Sequence, residues 1–244
     1  MKISLLILFG LTLSSAYAQK KTTVENLQDH FQCGITKDCE MLAKHIRKDS
    51  DKCLIPAADV ESEGTLFDGV SSKGKRIKGK IRYVSIVTGK YQYDTWIGED
   101  NTLNIRTKVY IKNHKKLSSD QLFKLDYKLR KAEKIWERNN PYSYNINLIV
   151  DIVKKKKDAY FKVKLKEKFT RGPYFRNWSL SWTDKTFAHE IGHVLGLDDE
   201  YKNTLGGGDA TVCSRSSLKC NSHAYQSKPK DYHYYLVLRR LLCE

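Results

Sequence analysis

The sequence predicts a mixed α/β fold, on three observations. Leu103, Ile105, Thr107, Val109 and Ile111 recur at every second position, the period of a half-buried strand. Leu122, Leu125, Leu129, Ala132 and Trp136 then recur at helical spacing. After them, residues 145–153 form a nearly continuous apolar run, suited to a strand inside a sheet. Strand, helix and strand in that order, followed by further strands and a second helix, imply a mixed sheet with helices packed on it.

Taken from the N-terminus, Lys2 precedes an apolar run over residues 3–13 and then Ala16-Tyr17-Ala18. This is the layout of a secretory signal peptide over residues 1–18, with the mature chain starting near Gln19. The run is too short to span a bilayer, and no other stretch reaches the needed length. Residues 19–56 look helical, with Met41, Leu42 and Ile46 on one side. Residues 57–80 are rich in Gly, Ser and Lys, which suggests a linker or irregular loop. Residues 19–80 are therefore expected to be a cysteine-bearing N-terminal extension or propeptide with a basic linker, ahead of a domain over 81–244. Within that domain residues 83–87 read as a strand. Ser118 with Gln121 three positions on is a capping box that opens the long helix, and Asn139-Asn140-Pro141 closes it. Phe161, Val163 and Leu165 alternate beyond the lysines at 154–157, as expected of an antiparallel partner joined by a hairpin tip. Residues 174–182 form an aromatic strand, a helix capped at Thr183 or Asp184 follows, and a last helix begins near Pro229.

Cysteine and charge bound the setting. Cys33, Cys39, Cys53, Cys213, Cys220 and Cys243 make an even set, which in an exported chain reads as disulfides with 15 possible pairings. Cys213 and Cys220 can close a short loop, and one of Cys33, Cys39 or Cys53 can tie the N-terminal region to Cys243. No CxxC pair supports a cysteine metal site. The formal net charge is +16. Such an excess favours polyanionic neighbours: acidic polysaccharide, nucleic acid or an anionic lipid surface. Scattered along the chain, the lysines read first as a soluble surface, and no signature of specific nucleic-acid binding accompanies them.

The chemistry concentrates in residues 186–201, which contain H-E-x-x-H as His189, Glu190 and His193. On a helix, residues four apart share a face, so both imidazoles can reach one zinc ion, with Glu190 beside them as general base to a water. Phe187, Ile191, Val194 and Leu195 fall on the opposite side and can anchor the helix, while Thr183 or Asp184 can cap it. Gly196 can adopt the left-handed conformation that ends a helix and turns the chain back. Asp199 then arrives where a third ligand is wanted. Asp198, Glu200, His223, His233 and Glu244 are the competing carboxylates and imidazoles, Asp198 being better suited to solvent or to supporting His193.

The segment from His189 to Asp199, HEIGHVLGLDD, resembles the metzincin zinc signature HExxHxxGxxH with aspartate in last place, as in the snapalysin-like secreted bacterial peptidases. The resemblance implies one catalytic zinc held by His189, His193 and Asp199, with Glu190 as base. It also implies a twisted mixed sheet carrying an active-site helix and a C-terminal helix. Residues 19–80 have no counterpart in it. The chain also departs from the family in lacking a methionine turn, since its two methionines, Met1 and Met41, lie far upstream. Residues 217–220 or 221–225 are expected to replace that turn, and Tyr225 is a candidate extra ligand or transition-state donor. The implied activity is a secreted metalloendopeptidase whose protein or peptide substrate lies along an edge strand formed by residues 161–165. A zinc amidase acting on non-protein amides and a catalytically silent basic binding protein are the alternatives.

Overall fold

The computed structural model describes residues 22–33, 38–70, 74–84, 87–168, 177–200, 213–214, 216–221 and 225–243. The expected signal peptide, His223 and Glu244 lie outside the described residues, among which no helix is long and apolar enough to cross a membrane. The fold is mixed α/β: seven α-helices and a six-stranded mixed sheet among the described residues.

Strands β1 (Lys75–Val84), β2 (Val87–Ile97) and β3 (Leu103–Ile111) form an antiparallel meander. The third has the bounds its alternation predicts. Helix α5 (Ser119–Arg138) follows, its N-terminus closed by the Ser118–Gln121 capping box and its C-cap at Asn139. It crosses over to β4 (Ile146–Ile152), which pairs in parallel with β3. Leu125, Leu129, Ala132 and Trp136 are buried against the sheet as their spacing requires.

The next strand, β5 (Phe161–Lys166), is parallel to β3. The expected antiparallel hairpin is therefore wrong: alternation fixes which face a residue takes, but not the strand's direction. The Val153 N–H donates to the Val109 carbonyl and the Tyr160 N–H to the Lys108 carbonyl. Successive carbonyls of a strand point to opposite edges, so β4 and β5 flank β3 on opposite sides. Instead of a hairpin tip, the lysines at 154–157 occupy a crossing over β3 that includes a 3₁₀ turn, Lys156–Asp158. Strand β6 (Asn177–Ser179) pairs in parallel with β5 and is all that is described of the aromatic strand expected at 174–182. With β3 on one side and β6 on the other, residues 161–165 are not the edge strand expected to receive substrate.

Helices cover one face of this sheet. Helix α6 (Asp184–Val194) packs on α5, where the Trp136 Nε1–H donates to the Ala188 carbonyl at 2.9 Å. Helix α7 (Asp231–Leu242) lies beside them, and the Tyr234 hydroxyl donates to the Trp136 carbonyl at 2.5 Å.

The N-terminal region packs into the same core. Helices α1 (Val24–His30), α2 (Asp38–Lys48), α3 (Ala57–Glu61) and α4 (Glu63–Gly69) contribute Leu27, Leu42, Val60 and Leu66, all buried and clustered with residues of the sheet and α7. In place of a linker, residues 57–80 thus form two short helices and the start of β1. Composition misled here because five- and seven-residue helices are held by packing rather than by propensity. Disulfides join Cys53 to Cys243 and Cys213 to Cys220, as two of the expected pairings. Cys33 is buried, and the side chain of Cys39 lies outside the described residues.

A buried ionic network locks these layers together. The Asp49 Oδ2 accepts from Arg239 at 2.9 Å and from Arg240 at 2.7 Å, while its Oδ1 accepts from the Tyr91 hydroxyl at 2.8 Å. Burial opposes ionisation of Asp49, yet the two guanidinium charges outweigh it and hold the carboxyl below its ordinary value. Arg240 also donates to the carbonyls of Leu195 at 2.6 Å and Gly196 at 3.1 Å, placing a cation on the C-terminus of α6.

Candidate metal centre

Helix α6 begins where the sequence places it: the Thr183 hydroxyl accepts from the Thr186 N–H, and Asp184 sits in the first turn. It ends at a left-handed glycine. Gly196 has φ +85°, the Gly196 N–H donates to His193 and the Leu197 N–H to Gly192, the double bond of a Schellman turn. A Cβ at Gly196 would lie 2.6 Å from the Tyr91 ring. Gly196→Ala is therefore expected to cost at least about 2 kcal/mol, from left-handed strain and overlap together. Gly64→Ala, which meets open space, should change stability by less than about 1 kcal/mol. Urea denaturation of the two variants checks the contrast.

Downstream of the turn, Asp199 comes back onto the helix. Its Oδ1 lies 3.0 Å from His189 Nε2 and 3.1 Å from His193 Nε2. The orientation of the rings fixes where one hydrogen of each lies. His189 Nδ1 faces the Leu218 carbonyl at 2.9 Å and His193 Nδ1 the Leu197 carbonyl at 2.8 Å. A carbonyl can only accept, so each Nδ1 carries a hydrogen, and the neutral form of each ring turns its Nε2 lone pair toward Asp199. Three electron-rich atoms thus converge on one buried point. Asp199 Oδ1 makes no hydrogen bond of sound geometry there. A cation between them would resolve the repulsion; ligands held tetrahedrally at about 2.0–2.2 Å lie roughly 3.3–3.6 Å apart, so the carboxylate oxygen already sits close to ligand spacing from both rings.

Glu190 lies beside this point, and the ligand atoms of His189, Glu190 and His193 fall within 4.8 Å of one another. Its Oε2 has no hydrogen-bond partner among the described residues. Burial pushes its carboxyl up to about 7. The anchor residues Phe187, Ile191, Val194 and Leu195 are buried as expected, but so is the chemical side of the helix, where His189, Glu190 and His193 are each 6 % exposed or less.

The loop closed by Cys213–Cys220 packs against that side. Residues 217–220, one of the two expected replacements, lie beneath the triad in the loop closed by Cys213–Cys220. Leu218 supplies the carbonyl to His189, the Lys219 Nζ donates to the His189 carbonyl at 3.1 Å, and the Lys219 carbonyl accepts from the Glu200 N–H at 3.2 Å. Lys219 is fully buried, with Nζ 3.7 Å from Asp199 Oδ1, and burial lowers its pKa. Its stem passes over Gly192, where a Cβ would meet Lys219 Cδ at 3.0 Å. The sequence offered no hint of this lysine.

The other candidate ligands are placed elsewhere. Asp198 is neither solvent-facing nor bonded to His193: it is buried and pairs with Lys48, with Lys44 Nζ at 3.8 Å. Leu197 supplies His193's acceptor instead. Glu200 accepts from the Tyr232 hydroxyl and from His233 Nε2 at 2.7 Å, with His45 Nε2 3.7 Å away. His45, Glu200 and His233 resemble a second metal cluster, but their hydrogen bonds run the other way. The Asp198 N–H donates to His45 Nδ1 and the Lys230 N–H to His233 Nδ1. In both neutral rings Nε2 therefore carries the hydrogen and points at Glu200, leaving no lone pair there for an ion. This cluster instead pins the loop that carries Asp199, aided by Lys44 Nζ donating to the Asp199 carbonyl at 2.6 Å. Tyr225 is 95 % exposed, with its ring under Lys185, so it is no part of the buried triad.

No family model, no curated protein and no solved structure matches the chain.

Proposed function

We propose that the chain is a secreted zinc-dependent endopeptidase of metzincin type, in which His189, His193 and Asp199 hold one zinc ion and Glu190 is the general base. The observation that carries this reading is the pair of Nδ1–carbonyl bonds, which leave both Nε2 lone pairs aimed at the Asp199 carboxylate. Two imidazoles and a carboxylate suit zinc. Bound there, zinc supplies Lewis-acid polarisation of a scissile carbonyl and acidifies a water toward neutrality. Glu190 sits where a base is needed, and its raised pKa suits accepting a proton from the attacking water and returning it to the leaving amine. Leu218 and Leu197 orient the imidazoles through their carbonyls. The N-terminal signal pattern and the two disulfides support export.

Zinc titrated into chelator-treated protein is expected to bind one to one, with Asp199→Ala weakening it by about a hundredfold or more, beyond what loss of an outer partner would do. Unchanged affinity would remove Asp199 from the ligand set. Chelator-sensitive cleavage of casein is the activity expected; action on peptidoglycan amides but not on casein would favour the amidase reading.

A further inference from the structure

Many of the basic residues on the strands, scattered in sequence, share a face. On β1, Ile77 and Ile81 turn inward, so Arg76, Lys78, Lys80 and Arg82 turn outward on the side away from the helices. The register continues this face across the sheet. Lys80 stands opposite Lys90 of β2, and Arg106 and Lys108 of β3 occupy the outward positions between buried neighbours. On β5, Lys162 and Lys164 alternate with buried Val163 and Leu165. The crossing between β4 and β5 brings the lysines at 154–157 alongside, because Tyr160 at its end lies against Arg76 and Lys108. Two carboxylates on the strands oppose these charges: Asp94, paired with Arg76, and Asp151, paired with Arg106.

We propose that this open sheet face binds a linear acidic polysaccharide. The cations run in rows. Alternate residues of a strand are about 6.8 Å apart, so the β1 row alone presents four positive groups over roughly 20 Å along the strand, a track for a chain bearing regularly spaced anions. Lysines dominate the face, and they match sulfate or carboxylate by charge rather than by a planar fork. Single-stranded nucleic acid fits less well, because it needs aromatic faces for its bases. Here the Arg106 guanidinium lies 4.4 Å from the centroid of Trp96, and Tyr160 is taken by Arg76, Lys108 and Asp94. A lipid surface fits less well because the exposed large apolar side chains among the described residues, Phe123, Tyr127 and Tyr225, belong to other parts of the fold. This face is independent of the metal centre, and its role does not depend on the hydrolase reading.

The test is heparin binding by the full chain, measured across a range of salt. A face variant carrying Lys78→Glu, Lys80→Glu and Lys162→Glu is compared with a control of equal net charge carrying Lys124→Glu, Lys131→Glu and Arg138→Glu on α5, across the sheet. Urea unfolding of both confirms that they remain folded. The face variant is expected to bind at least about thirtyfold more weakly at low salt, with the dependence of log K on log salt shallower by roughly two to three, while the control loses less than about threefold. Equal losses in both variants would show attraction to net charge alone and overturn the proposal. Tighter binding of poly-dT, or of vesicles containing phosphatidylserine, than of heparin at equal ionic strength would overturn the choice of polysaccharide.

Discussion

Glu190→Gln is expected to retain one zinc per chain and to lose roughly 10²–10⁴ of kcat/KM, the range by which a positioned general base accelerates proton transfer. Glutamine keeps the shape and the helix but cannot take a proton. Metal content and casein hydrolysis, measured on the same preparation, separate this from loss of the site. Zinc retained with turnover intact would remove Glu190 from the chemistry.

The same substitution should change how the metal-free protein responds to pH. Burial raises the Glu190 carboxyl from its ordinary value to about 7. Between about 4.5 and 7 the folded state therefore binds more protons than the unfolded chain, so stability falls as pH rises through that window. The group is uncharged in both states below the window, and above it a carboxylate is buried with an unsatisfied oxygen. Wild type and Glu190→Gln should therefore match more closely near pH 4.5 and diverge by about 2–3 kcal/mol near pH 7, with the variant the more stable. Chemical denaturation in chelator at the two pH values reads the difference; a constant gap would contradict it.

Asp49→Ala is expected to cost about 3–5 kcal/mol, because it strands two buried guanidinium groups. Arg239 and Arg240 both reach Asp49, and Arg240 in turn holds the carbonyls that close α6. Against a total stability of about 5–15 kcal/mol, that loss is large. It should also lower zinc affinity, since Leu197 and Asp199 follow directly on the turn that Arg240 holds. A ΔΔG below 1 kcal/mol in urea would show that the N-terminal region is not tied to the α6 turn by this network.

Much of this was legible in the sequence where the signal is local. The bounds of β3, the Ser118–Gln121 box, the Thr183 cap and the left-handed Gly196 each depend on a few consecutive residues. So do the two histidines on one helix face. What escaped is long-range. Lys44, His45 and Lys48 grip residues 198–200 from some 150 positions away, and no periodicity in α2 marks them for that task. Lys219 escaped because a lysine between two cysteines reads as surface, whereas here its stem is buried over Gly192. The direction of β5 escaped because alternation carries none. The basic face escaped for a related reason: strands that interleave lysine with valine and leucine look diffuse in one dimension, and only pairing gathers every second residue into an array.

The central claim is a cation held by two Nε2 atoms and one aspartate oxygen, and zinc K-edge X-ray absorption on the full chain loaded with one equivalent addresses it directly. The account predicts a shell of nitrogen and oxygen alone at about 2.0–2.1 Å with imidazole outer-shell scattering, the imidazole scattering being abolished in a His189→Ala, His193→Ala double variant. A sulfur shell at about 2.3 Å, or an unchanged spectrum in that variant, would contradict it.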